Sequence, residues 1–174
     1  LLYLFLAAEP NDANSPTKEP SFEADDFYYS EDNQSVKAIG NAVFSTSNLM
    51  LMADEILWDY NKSIIVAQGD VIMSSLEIRI LAQKIHLDLT NGNFEATELK
   101  TGFHPWVLEA DKLSRIKTFY ELTNVNAYYR HKESLEPNLS AESLELDQNT
   151  SQFIAKRLSP RIGTLPLFIF PTIE

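Results

Sequence analysis

Three histidines are the first candidates for chemistry in this chain of 174 residues. His86, His104 and His131 stand far apart, and only His86 has a second ligand type at strand spacing. His86-x-Asp88 would put an imidazole and a carboxylate on one side of an extended segment. Zinc takes three or four such groups, and with no third nearby the pair reads as a solvated strand face. Asp25-Asp26 and Asp54-Glu55 have the residue types of a glycosidase acid and base. Nothing in the sequence sets the separation that such a pair needs, so they read as solubilising charge. Serines and aspartates are plentiful, but no nucleophile elbow occurs. Arg79, Lys84, Lys112 and Arg115 could meet lipid phosphates, with surface charge the plainer reading. No enzymatic activity, metal or cofactor is expected. Zero cysteines remove disulfides and thiolate metal sites. A net charge of −11 disfavours wrapping nucleic acid, which calls for a basic face. Five glycines against eight prolines disfavour a glycine-rich phosphate cradle.

The patterning is that of strands. In LMLMADEILWDY, residues 49–60, Leu49, Leu51 and Ala53 alternate with Met50, Met52 and Asp54 at the period of two. After Ala53 the phase slips, and Ile56, Trp58 and Tyr60 become the apolar set. One extra residue in the strand would do this, moving every later side chain to the other face. The same break follows Ala82 in LEIRILAQKIHLDL (76–89), where Ile85, Leu87 and Leu89 take over. It recurs after Ala110, followed by Leu113, and after Ala141, followed by Leu144 and Leu146. The four alanines are spaced 29, 28 and 31 residues apart, a period at which internal repeats are expected. Alanine, glutamate and leucine favour helix locally, but alternation on both sides of each alanine argues for strand.

A second element precedes the first two copies. Val36, Ala38, Gly40, Ala42 and Phe44 share one face, as do Ile65, Ala67, Gly69, Val71 and Met73. Glycine inside a strand marks a bulge, a bend or a close approach of backbone. Each repeat is therefore a strand, a turn and a bending strand, too thin to bury its own apolar face unless stacked on its neighbours. Turns are expected at 59–62 and at Asn91-Gly92, a loop over 101–105, and a break in pairing at Pro137.

At 44% hydrophobic and 22% charged residues, one domain is the default. Residues 1–8, LLYLFLAA, read as the remnant of a secretory signal peptide, too short to span a bilayer. Residues 9–30 read as a disordered linker, although Phe27, Tyr28 and Tyr29 could begin a strand. The ordered domain is expected over 31–160. Residues 161–174 carry an apolar run bracketed by Pro166 and Pro171, which is either an edge strand or a lead into a further segment.

The texts GNAV…LMADEILWDY and GDVI…LAQKIHLDL resemble the OstA-type repeat of lipopolysaccharide-transport proteins, LptA and the periplasmic part of LptD. Leu139-Ser140-Ala141-Glu142-Ser143-Leu144-Glu145-Leu146-Asp147 and the run from Arg161 to Pro171 resemble the lead from the LptD N-terminal periplasmic domain into its β-barrel. The resemblance covers about residues 36–171. It implies an all-β fold, an antiparallel folded-over sheet or open β-jellyroll (β-taco), whose apolar inner slot conducts lipopolysaccharide across the periplasm to the outer membrane. A lipid with several acyl chains needs such shielding, since each buried methylene is worth ~0.8 kcal/mol.

On this basis the slot candidates are Val36, Ala38, Ala42, Phe44, Leu49, Leu51, Ile65, Val71, Met73, Ile78, Ile80, Trp106 and Leu108, any of which could instead be plain core. The implied partners are lipopolysaccharide, other periplasmic transport proteins by edge-strand pairing, and a C-terminal barrel with its lipoprotein plug. Any coupling to a barrel must be non-covalent, there being no cysteine. The alternatives are a stand-alone LptA-like bridge, a structural β-repeat with a dry core, and a glycan-binding or glycan-cleaving β-sandwich.

Overall fold

A computed structural model describes residues 20–31, 34–75, 78–103, 105–129 and 136–173. These form antiparallel strands and no helix. The chain divides into two compact units, Leu1–Thr90 and Asn91–Glu174, where the sequence reading drew one domain over 31–160. The expected signal remnant, residues 1–8, and residues 9–19 of the expected linker lie outside the described residues.

The first unit holds β1 (Ser21–Glu23), β2 (Asp26–Ser30), β3 (Ser35–Ser45), β4 (Leu49–Asp59), β5 (Ile64–Ser75) and β6 (Arg79–Asp88). β3 to β6 form a meander, and β1 and β2 both pair with β3. The phase break falls where expected. In β4, Leu51 and Ala53 are buried and then Ile56; in β6, Ala82 and then Ile85 and Leu87. The extra residue, however, sits in the partner strand and not in the alanine-bearing one. Ile39 pairs with Glu55 and Ala42 with Ala53, so Gly40 and Asn41 together face Asp54. Likewise Gln68 pairs with Lys84 and Val71 with Ala82, so Gly69 and Asp70 face Gln83. All four residues of the two bulges have positive φ, from 42° to 81°, which glycine, asparagine and aspartate adopt at least cost. The glycines are required for space as well. A Cβ on Gly40 would stand 2.5 Å from Asp25 Oδ2, and one on Gly69 would collide with the Asp54 carboxylate.

The strands fold over at this line. Phe44 is opposite Leu51, and Trp58 lies seven residues further along β4, which in a straight strand is roughly 23 Å away. The Phe44 and Trp58 rings are nevertheless 5.4 Å apart, centroid to centroid, and Phe22 packs on both at 5.9 and 6.2 Å.

Part of the expected linker is structured. FEADDFYY at 22–29 repeats LMADEILW at 51–58, with Ala24 lying 29 residues before Ala53. Phe22 pairs with Phe44 and Phe27 with Ala38, so β1 and β2 are two halves of a fifth copy, interrupted at Ala24-Asp25. The Asp25 amide donates to the Gly40 carbonyl at 3.0 Å across the break.

The second unit is a meander of β7 (Phe94–Phe103), β8 (Trp106–Ile116), β9 (Phe119–Tyr129), β10 (Pro137–Asp147) and β11 (Gln152–Ile162), with β12 (Leu165–Pro166) and β13 (Phe170–Ile173) on the outer edge of β11. Ala110 and Leu113, and Ala141 and Leu144, are buried in the expected slipped phase. Glu98, Asn124 and Arg157 carry the positive φ in β7, β9 and β11.

Two loop expectations are corrected. Thr101 to Phe103 remain in β7, with Phe103 pairing with Trp106. Pro137 does not end pairing: it opens β10 opposite Ile162, the first position of a strand being one where the missing N–H is tolerated. The Pro-bracketed run is an edge. Its chain turns at Gly163 and runs back along β11.

Candidate functional site

In the first unit the sheet register assembles the candidate residues into cross-strand rows on one face. Val36, Trp58, Ile65 and Leu87 form one row, and Phe44, Leu51, Met73 and Ile80 another. Ala38, Ala42 and Val71 lie on the same face. All nine candidates among these, Trp58 and Leu87 not being candidates, are at most 6% exposed. Leu49 and Ile78 are half-buried, and Ile78 precedes β6 without joining it. Around Phe22, Phe44 and Trp58 the interior is filled by side chains. Trp58 Nε1 is buried there without an acceptor.

The second unit is different. Phe94 and Ala96 in β7, Leu113 in β8 and Ala155 in β11 are buried on one face near one end of the strands. Beyond the fold line that face continues through Ala110, Val125 and Ala141, also buried, and then loses its cover. The next row is Thr101, Leu108, Ala127, Leu139 and Pro160, followed by the pairs Trp106 with Tyr129 and Pro137 with Ile162. Leu139, Tyr129 and Ile162 are 39–41% exposed, and Leu108, Ala127 and Trp106 are half-buried. Trp106 and Tyr129 meet edge to face at 5.5 Å. An apolar strip on the core face is thus open to solvent. Trp106 and Leu108 were expected there from the sequence. Ala127, Tyr129, Leu139 and Ile162 were missed, although the alternation of Ala127 with Tyr129 carries the signal.

The opposite face of these strands is polar. Lys100, Glu109, Asn126, Ser140 and Ser159 form one row, and Tyr128, Asn138 and Arg161 the next. Lys100 Nζ is 2.8 Å from Glu109 Oε1 and 5.7 Å from the centre of the Tyr128 ring, and the Tyr128 hydroxyl donates to the same carboxylate oxygen at 2.5 Å. The hydrogen bond to Glu109 pushes the Lys100 pKa up to about 12. Burial, then the hydrogen bond to Glu109, raises that of Tyr128.

The residues that suggested catalysis do not converge. His86 is exposed, and Asp88 Oδ1 accepts from the Thr90 amide at 2.8 Å in a turn. His104 and His131 lie outside the described residues. Among the described residues no three His, Cys, Asp or Glu are grouped to hold a metal ion. Asp25 and Asp54 lie against the bulge glycines, Asp25 accepting from Asn41 Nδ2 at 2.9 Å, so their packing is structural. Lys112 pairs with Glu95 at 3.1 Å, and Arg115 lies over the Tyr120 ring at 5.4 Å while donating to the Lys117 carbonyl. Arg79 and Lys84 sit on β6.

No protein-family model and no curated protein matches the chain. Among solved structures it is similar to LptH, the LptA homologous periplasmic component of the conserved lipopolysaccharide transport device from Pseudomonas aeruginosa. The two are 11% identical, and the match covers 90% of this chain and 95% of that one at a TM-score of 0.33. A likeness of that size decides nothing about function.

Proposed function

We propose that this chain is a lipid-conducting module that holds the acyl chains of lipopolysaccharide against its apolar core face in the periplasm, as the N-terminal domain of an LptD-like assembly protein. The observation that carries the reading is the uncovered strip of the second unit, Trp106, Leu108, Ala127, Tyr129, Leu139 and Ile162. A row of large apolar side chains left in water at the continuation of a buried face is what an acyl chain would cover, each methylene contributing ~0.8 kcal/mol. The repeat text supports the same class, and the terminal run of residues 161–171 supports LptD over a stand-alone LptA-like bridge. Partners of the same fold would join by strand addition. The outer edge of β2, with Tyr28 and Tyr29 at 58% and 77% exposure, is the edge available at the start of the described residues. Residues 161–174 would be the segment leading towards a barrel.

A structural β-repeat is the second reading, favoured by the first unit, where Phe44, Leu51, Ile65 and Ile80 are fully buried. One experiment separates the two. A photoreactive residue in place of Trp106 or Leu139 should crosslink to lipopolysaccharide in cells, while one in place of Glu121 or Lys156, exposed on the opposite face and away from the strip, should not. Equal labelling from both faces, or none from either, would leave the β-repeat standing.

A further inference from the structure

On the polar face of the second unit, residues 163–169 turn back over the ends of β9, β10 and β11. The roof is tied at three points. Asn138 Nδ2 donates to the Gly163 carbonyl at 3.1 Å, Ser159 Oγ to the Phe168 carbonyl at 3.0 Å, and the Leu167 amide to the Pro160 carbonyl at 2.9 Å. Beneath it is a cleft of about 540 Å³, within the size range of small-molecule sites. Its polar lining includes Asn126, Ser140, Glu142, Arg157 and Arg161. Glu142 Oε2 stands 3.6 Å from Arg157 Nε, which offsets those two charges. Arg161 is left over, and its Nε–H is buried with no acceptor. That nitrogen is closed to solvent, but Arg161 as a whole is half-buried and lines the cleft, so an anion there would meet its guanidinium charge. In a chain of net charge −11 this is a local positive site. Amide and hydroxyl side chains beside it suit sugar hydroxyls.

We infer that this cleft binds a phosphorylated sugar, its phosphate on Arg161 and its hydroxyls on Asn126 and Ser140. The source is either a lipid headgroup or a free sugar phosphate. The inference stands on the cleft alone and does not need the lipid reading, whose crosslinks lie on the opposite face.

The test follows the Arg161 Nε–H signal by NMR in the full chain during titration with glucose 1-phosphate, glucose, inorganic phosphate, and a diphosphorylated acylated glucosamine disaccharide in detergent. Glucose 1-phosphate should shift the signal saturably at millimolar concentration, at least about tenfold more tightly than glucose or phosphate alone. Backbone signals of the cleft should stop responding in Arg161→Gln and respond weakly in Arg161→Lys. Asn126→Asp, which preserves shape and adds a negative charge, should also abolish binding. Tighter binding of the lipid than of glucose 1-phosphate assigns the headgroup as the source; equal or weaker binding assigns the free sugar phosphate. A matching response to inorganic phosphate, an unchanged response in Arg161→Gln, or no response to any probe overturns the inference.

Discussion

The glycines at the fold line are where single residues matter most. Gly40 and Gly69 combine a positive φ with an aspartate where a Cβ would go, so Gly69→Ala should cost at least about 2 kcal/mol, the left-handed backbone contributing about 1–2 kcal/mol of it. Urea titration of the variant against the parent checks this. Glu98 has a φ of 50° without the side chain that suits it. Glu98→Asn should therefore raise stability by up to about 1 kcal/mol in the same measurement. In the aromatic cluster, Phe44 is fully buried against Trp58 and Phe22. Phe44→Ala should cost about 3–5 kcal/mol. Trp58→Phe should cost much less than that, because it also removes the buried indole N–H that has no acceptor.

Among elements, the repeated hairpin divides its work between two strands. β4, β6, β8 and β10 each carry an alanine at the break, and β3, β5, β7, β9 and β11 each carry the left-handed residue. Salt bridges run between neighbouring strands, Lys37 to Glu55 and Lys100 to Glu109 among them, and most are exposed enough to contribute little. The Lys100, Glu109 and Tyr128 cluster joining β7, β8 and β9 adds a buried tyrosine to one such exposed pair. Both Lys100 and Tyr128 bind their protons more tightly folded than unfolded, the ordinary values being 10.5 and 10.0. Their contribution is therefore complete below about pH 10 and is lost as pH rises towards 12. Thermal unfolding followed from pH 8 to 12 should show melting temperature falling above about pH 10, and the fall should shrink in Lys100→Met/Tyr128→Phe.

For the whole molecule, the charge of −11 and the open apolar strip make opposite demands on solubility. Leu139→Asp should leave stability nearly unchanged, since Leu139 is already 41% exposed. It should weaken lipid binding by at least about tenfold, read by fluorescence of Trp106 during titration with lipopolysaccharide. The all-β class, the phase breaks and the buried faces could be read from residues alone, because alternation at period two states which side chains share a face. The fifth copy at 22–29 was legible as well, but its acidic, proline-flanked setting resembles linker composition. What the sequence determined by itself is therefore the inward set and the line at which it changes parity. Which strand holds the extra residue, and whether the inward set is covered, were decided only in the tertiary structure. Val36 and Leu108 look alike in the pattern, yet burial depends on what the folded sheet brings opposite each one. The first is buried in an aromatic-capped core, and the second stays half-buried.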